Sequence, residues 1–207
     1  MKHELTIINL EIGNIGSLVN MLKRLGVRAH VTNSPNEIAN SKKIILPGVG
    51  AFDTACEAIN KFQLREILSQ KALSEKIPFL GICLGMQLLL DSSEEGECKG
   101  LGFIQGEVKR FDVNGDIKVP HMGWNHLEVC QPENILSRSI EERTRFYFVH
   151  SFFAQVKNQE HILFKTNHGV TFHSGIQKEN IIGFQFHPEK SHQYGLRLLE
   201  SFLRLKC

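Results

Sequence analysis

Residues 78–90, Pro78-Phe79-Leu80-Gly81-Ile82-Cys83-Leu84-Gly85-Met86-Gln87-Leu88-Leu89-Leu90, decide how the chain folds. Residues 78–82 read as a short buried strand, residues 86–90 as a helical run, and Cys83 stands on the turn between them. Glycines lie two residues before and two after it. This is the cysteine form of a nucleophile elbow, a turn tight enough to strain the backbone at its apex, with small flanking residues that let neighbouring chains approach. Such a position puts the sulfur at the positive end of a helix, which favours the thiolate. It also aims the Leu84 backbone N–H at the place where an oxyanion would form. Taken alone, Gly-x-Cys-x-Gly fits a buried core cysteine in a glycine-punctuated turn equally well, since Cys is among the most buried residue types.

Working outward, the first half alternates strands and helices. Residues 5–10, 27–31 and 43–46 read as strands, the last closed by Pro47-Gly48. Residues 17–25 form a helix with Leu18, Met21, Leu22 and Leu25 on one face, stopped by Gly26, and residues 51–73 form one or two amphipathic helices. A β-α-β-α order predicts a parallel sheet covered on both faces. The second half changes to short alternating runs at 107–111, 145–149, 162–166, 170–176 and 181–186, separated by Asn114-Gly115 and His168-Gly169. These predict antiparallel strands and hairpins added to the core. Residues 194–205 close the chain as a helix. The expectation is a three-layer α/β fold, a mixed, mostly parallel sheet flanked by helices, with residues 1–207 as one domain.

Bulk composition narrows the function classes. The formal charge of +2, with Lys and Arg scattered among Asp and Glu, supplies no basic stripe for nucleic acid. The five cysteines are odd in number and form no Cys-x-x-Cys pair, which argues against a disulfide framework or a zinc ribbon and suits a reducing cytosol. Met1-Lys2-His3-Glu4 runs into a short apolar strand, without the pattern of a signal peptide or the length of a membrane span. The expected location is the cytoplasm. His121 with His126, and His168 with His173, are spaced so that each pair falls on opposite faces of a straight strand, and no acidic or Cys residue completes a ligand set. No metal and no cofactor are expected.

A base for Cys83 is offered by Gly183-Phe184-Gln185-Phe186-His187-Pro188-Glu189. His187 falls at a strand end, Pro188 stops the ladder, and Glu189 is placed to hold the far ring nitrogen in one tautomer. The turn Pro47-Gly48-Val49-Gly50 follows a strand but no Gly-Lys-Ser/Thr comes after it, which excludes a P-loop. It suits the second half of an oxyanion hole better.

These elements in this order resemble the class I glutamine amidotransferases, most nearly the glutaminase subunits that serve a cyclase in histidine biosynthesis. Gly81-Ile82-Cys83-Leu84-Gly85-Met86-Gln87, Pro47-Gly48-Val49-Gly50-Ala51-Phe52 and Gln185-Phe186-His187-Pro188-Glu189-Lys190-Ser191 carry the likeness. So do Val119-Pro120-His121-Met122-Gly123-Trp124-Asn125 and Phe146-Tyr147-Phe148-Val149-His150-Ser151. The resemblance implies Cys83, His187 and Glu189 as catalytic triad, and Leu84 with the Val49–Gly50 peptide as oxyanion donors. It implies Gln87, Glu95 and Ser151 as glutamine-binding residues. It further implies a heterodimer with a (β/α)₈-barrel cyclase subunit, no membrane, and a contact face that includes Trp124, Asn14 and Lys190. Trp124, the sole tryptophan, is a natural interface anchor.

Two stretches depart from the pattern. Gly16 stands where histidine-pathway members commonly carry arginine, and residues 167–172 are atypical. Paralogues that supply ammonia for sugar amidation in surface-polysaccharide synthesis are the alternative on this ground. A non-catalytic scaffold subunit and a free-standing cysteine peptidase are alternatives of other classes.

Overall fold

The alternation of the first half builds a parallel core. A computed structural model of the chain describes residues 3–13, 15–111 and 117–206. Strands β1 (Thr6–Ile8), β2 (His30–Thr32), β3 (Ile44–Gly48) and β4 (Phe79–Cys83) are linked through helices α1 (Gly16–Arg24), α2 (Pro35–Ile38), α3 (Phe52–Lys61) and α4 (Leu64–Ser69). Helix α5 (Leu84–Leu88) starts directly from β4. The second half contributes β5 (Ser92–Ser93), β6 (Gly106–Arg110), β7 (His121–His126), β8 (Glu128–Val129), β9 (Arg145–His150) and β10 (Phe152–Val156). It then adds β11 (Ile162–His168), β12 (Val170–Lys178), β13 (Ile181–Phe184) and the closing α6 (His192–Leu203).

The main sheet runs β2–β1–β3–β4–β13–β12–β10–β6–β5 among the described residues. From β2 to β13 every neighbour pair is parallel, and β12 is the first antiparallel partner. Among the described residues, strands β7 and β9 form a separate two-stranded antiparallel sheet. Period-two alternation sorts the side chains into two buried layers. Ile44, Leu46 and Phe79 pack with α3, α4 and α5 on one face, while Ile45, Leu80 and Ile82 pack with α1 and α6 on the other. The second layer continues into Phe146, Phe148 and Phe172 of the antiparallel half. This is the three-layer α/β arrangement expected.

Several expected boundaries move. The second strand covers His30–Thr32 rather than 27–31, because its ladder to β1 begins at the Thr6–His30 pair. The third does not stop before Pro47. It continues through Pro47 and Gly48, which pair with Ile82 and Cys83 of β4 beyond Ile45, the last β3 residue paired with β1, so Pro47 has a strand neighbour on one side only. Strand β13 ends at Phe184, not Phe186. Strands β7 and β10 were not foreseen: Gly123 and Asn125 lower strand propensity in one, and only Ser151 separates the other from β9. The expected Asn114-Gly115 turn lies outside the described residues, whereas His168-Gly169 does turn the β11–β12 hairpin, with Gly169 at φ 72°.

Candidate active site

Cys83 is the last residue of β4 and immediately precedes α5, with φ 54° and ψ −111°, a conformation L-residues rarely adopt. The local sequence explains how the turn closes. A Cβ on Gly85 would collide with the Leu46 carbonyl, and one on Gly81 with the Gly85 carbonyl, so both glycines are needed for helix and strand to approach. Cys83 itself is buried apart from its opening to a cleft.

That cleft, about 410 Å³ in volume, gathers residues from five separate parts of the chain: Val49 and Gly50, then Cys83 with Leu84 and Gln87, then Glu95, then residues 149–152, then Lys190. The expected oxyanion and glutamine-binding positions therefore share one cavity with the expected nucleophile. Gln87 is fixed by its Nε2, which donates to the Phe152 carbonyl at 3.0 Å and to Gln185 Oε1 at 3.1 Å. Glu95 Oε2 accepts from the Phe52 N–H at 3.1 Å. Burial raises the Glu95 carboxyl above the usual carboxylate range, with the Phe52 N–H opposing and the Asp53 charge adding to the rise.

His187 is reached differently from the expected strand end. Its N–H donates to the Tyr147 carbonyl at 2.9 Å, a bridge to β9, and its own carbonyl accepts from Ser191 Oγ at 2.6 Å. Nδ1 lies 2.7 Å from Glu189 Oε1, which fixes the ring. Burial opposes a charged ring, but the adjacent Cys83 sulfur and the Glu189 carboxylate outweigh it and raise the imidazole to about 10. Nε2 makes no hydrogen bond of ordinary geometry. His187 and Glu189 also line a small cavity with Gly13, Gly48 and Ile82, which shares Val49 with the cleft.

Of the expected contact-face residues, Trp124 is 44% exposed on β7, stacked on His192 with ring centroids 5.4 Å apart. A core tryptophan is thereby ruled out. Lys190 Nζ sits 5.7 Å from the Tyr147 ring centroid at the rim of the cleft. Asn14 lies outside the described residues. Gln185, whose Nε2 reaches Cys83 Sγ at 3.7 Å, was missed as a site residue although it precedes the base by two positions. His121 and His150 were missed as a pair because they are brought together only by the β7–β9 ladder. Among the described residues no cluster of three or more His, Cys, Asp and Glu side chains could hold a metal ion, and no helix is long and apolar enough to cross a membrane.

A strained cysteine on a strand-to-helix turn, a buried His–Glu pair beside it and a cleft edged by backbone amides can carry out acyl transfer from an amide. Residues 6–205 match the family glutamine amidotransferase class-I, and the chain belongs to that family. Within it, the chain is similar to imidazole glycerol phosphate synthase subunit HisH 2 of Methanococcus maripaludis, at 45% identity over 97% of this chain and 98% of the relative. Similarity to the subunit of the same name from Pseudomonas aeruginosa is 43%, over 97% and 99%. Among solved structures, PurLQS from Thermotoga maritima superposes with a TM-score of 0.74 at 17% identity, covering 98% of each chain. At that identity the likeness speaks for the fold alone.

Proposed function

We propose that the chain is the glutaminase subunit of an imidazole glycerol phosphate synthase, hydrolysing glutamine to glutamate and passing ammonia to a cyclase subunit in the cytoplasm. The observation that carries the reading is the single cleft holding Cys83, Leu84, Gln87, Glu95 and Ser151, with the 2.7 Å His187–Glu189 contact behind the sulfur. Near-full-length identity to subunits of that name supports the pathway.

The chemistry follows from the geometry. The Cys83 thiol proton passes to His187 Nε2, and the sulfur attacks the side-chain amide carbon of glutamine. The Leu84 N–H and the Val49–Gly50 peptide hold the resulting oxyanion. His187 returns the proton to the departing nitrogen, which leaves as ammonia, and a glutamyl thioester remains. Water then gives a proton to His187 while its oxygen attacks the thioester. Collapse releases glutamate, and the proton goes back to sulfur. Gln87, Glu95 and the backbone at Ser151 hold the amino-acid end of the substrate, and Trp124 and Lys190 belong to the face that meets a (β/α)₈-barrel partner.

Complementation of a histidine auxotroph lacking this subunit tests the proposal. Growth without histidine is the expected result. Failure to grow, with glutamine hydrolysis intact in the purified chain, overturns the pathway and leaves the glutaminase.

A further inference from the structure

The antiparallel half carries a buried polar path that the reaction does not use directly. His150 closes β9, and its Nδ1 lies 2.7 Å from the Phe152 carbonyl oxygen. A carbonyl only accepts, so Nδ1 holds the hydrogen and Nε2 is an acceptor. His121, the direct cross-strand partner of His150, places its Nδ1 2.9 Å from that Nε2 and must donate to it. His121 Nε2 is then an acceptor too, and takes a hydrogen from Asn125 Nδ2 at 3.1 Å. The second hydrogen of Asn125 Nδ2 goes to the Asn167 carbonyl at 2.9 Å. One assignment of hydrogens satisfies every contact, and it requires both rings neutral. Burial, against the pull of the Phe152 carbonyl, pushes His150 down to about 3, and burial with the neighbouring His168 pushes His121 down to about 4.

The Phe152 carbonyl is shared with the active site. Gln87 Nε2 donates to it, and from Gln87 the path runs through Gln185 to Cys83 Sγ. Its far end lies on β7, the strand that exposes Met122 and Trp124. Packing alone does not call for imidazoles here. The rings lie among Phe111, Phe148 and Phe172, with centroids 4.6 Å apart for His121–Phe148 and 5.2 Å for His150–Phe172. A phenylalanine would fill such a site without the desolvation cost of two buried polar rings.

We propose that His121 and His150 are positioning residues: the neutral imidazole pair sets the place of the Phe152 carbonyl, and through it the Gln87 and Gln185 amides against Cys83, so that a displacement of β7 is felt at the sulfur. Neither ring touches the reacting atoms. The consequence for turnover rests on the glutaminase reading above, whereas the consequence for the sulfur does not.

The test compares His150→Phe and His121→Phe with the conservative His150→Asn, whose Nδ2 keeps the donor to Phe152. Two rates are measured on the full chain and corrected for folded fraction: glutamine hydrolysis, and alkylation of Cys83 by iodoacetamide followed on the Cys83 peptide by mass spectrometry. The Phe variants are expected to lose about 10- to 100-fold in kcat, with KM changed less and alkylation slowed in parallel, the size expected for a misplaced reacting group. His150→Asn is expected to recover much of both rates. Unchanged kcat and alkylation in folded Phe variants, with only the melting temperature lowered, would overturn the proposal. Should the unaltered chain show no glutamine hydrolysis, the function reading fails, and the alkylation rates still decide the relay. A Phe variant that does not fold leaves the decision to His150→Asn: alkylation and kcat equal to those of a His150→Leu variant would count against positioning.

Discussion

The parallel and antiparallel halves build the site by opposite means. In the parallel half, Cys83 owes its place to residues within a few positions of it: β4 leads in, α5 leads out, and two glycines let the turn close. In the antiparallel half nothing local suffices. His187 is held by Tyr147 and Ser191, and the cleft wall at residues 149–152 is set by strands paired across long stretches of sequence. The nucleophile is therefore a local feature and its base a tertiary one.

The strongest way to break that contrast is Cys83→Ala. Glutamine hydrolysis should fall by about 10⁴-fold or more while the circular dichroism spectrum stays unchanged, as for loss of a nucleophile that acts together with its base. Measurable turnover in the variant would refute the role given to the elbow. Next in size is Phe148→Ala, which empties a fully buried site between Phe146–Phe186 and the histidine pair. A loss of about 3–5 kcal/mol in urea unfolding is expected. If the antiparallel half supplies the base by packing, the hydrolysis rate of the remaining folded fraction should drop too.

Gly85→Ala probes the local side. The added methyl meets the Leu46 carbonyl, and about 1–3 kcal/mol of stability should be lost, the range for an overfilled site. A stability equal to that of the unaltered chain would show that the elbow has slack.

The mildest test is Glu189→Gln. The folded imidazole of His187 is raised, so its charged form contributes stability that is fully present below the unfolded value, about 6.5, and is lost as pH rises through about 10. With the carboxylate gone, one of the two groups holding the ring charged is removed. The alkaline limb of the pH–rate profile should move to lower pH, and an unmoved limb would assign the whole effect to Cys83.

How much could be read from the amino-acid sequence follows the same division. The elbow, the helices that cover the parallel strands and the His187-Pro188-Glu189 run carry their signals in adjacent residues, and each lies where its pattern placed it or within a few positions. Pro47 signals a stop locally, whereas in the fold it pairs with Ile82 of β4 past the end of the β1 ladder at Ile45. Strand β7 was invisible because Gly123 and Asn125 break the alternation, and its partner lies 29 residues away at the His121–His150 pair. Gln185 sat in a recognised run, yet only folding shows that its amide reaches the sulfur.

Trp124 has one more consequence. It is the sole tryptophan of the chain, half out of the surface and lying flat over His192 at an interplanar angle of 9°. Excitation in the indole band thus reads a single point on a single face. The emission of this protein is an intrinsic optical probe of β7, free of overlap from other indoles, and a shift in its colour or intensity on mixing with a candidate partner reports on that face without a label.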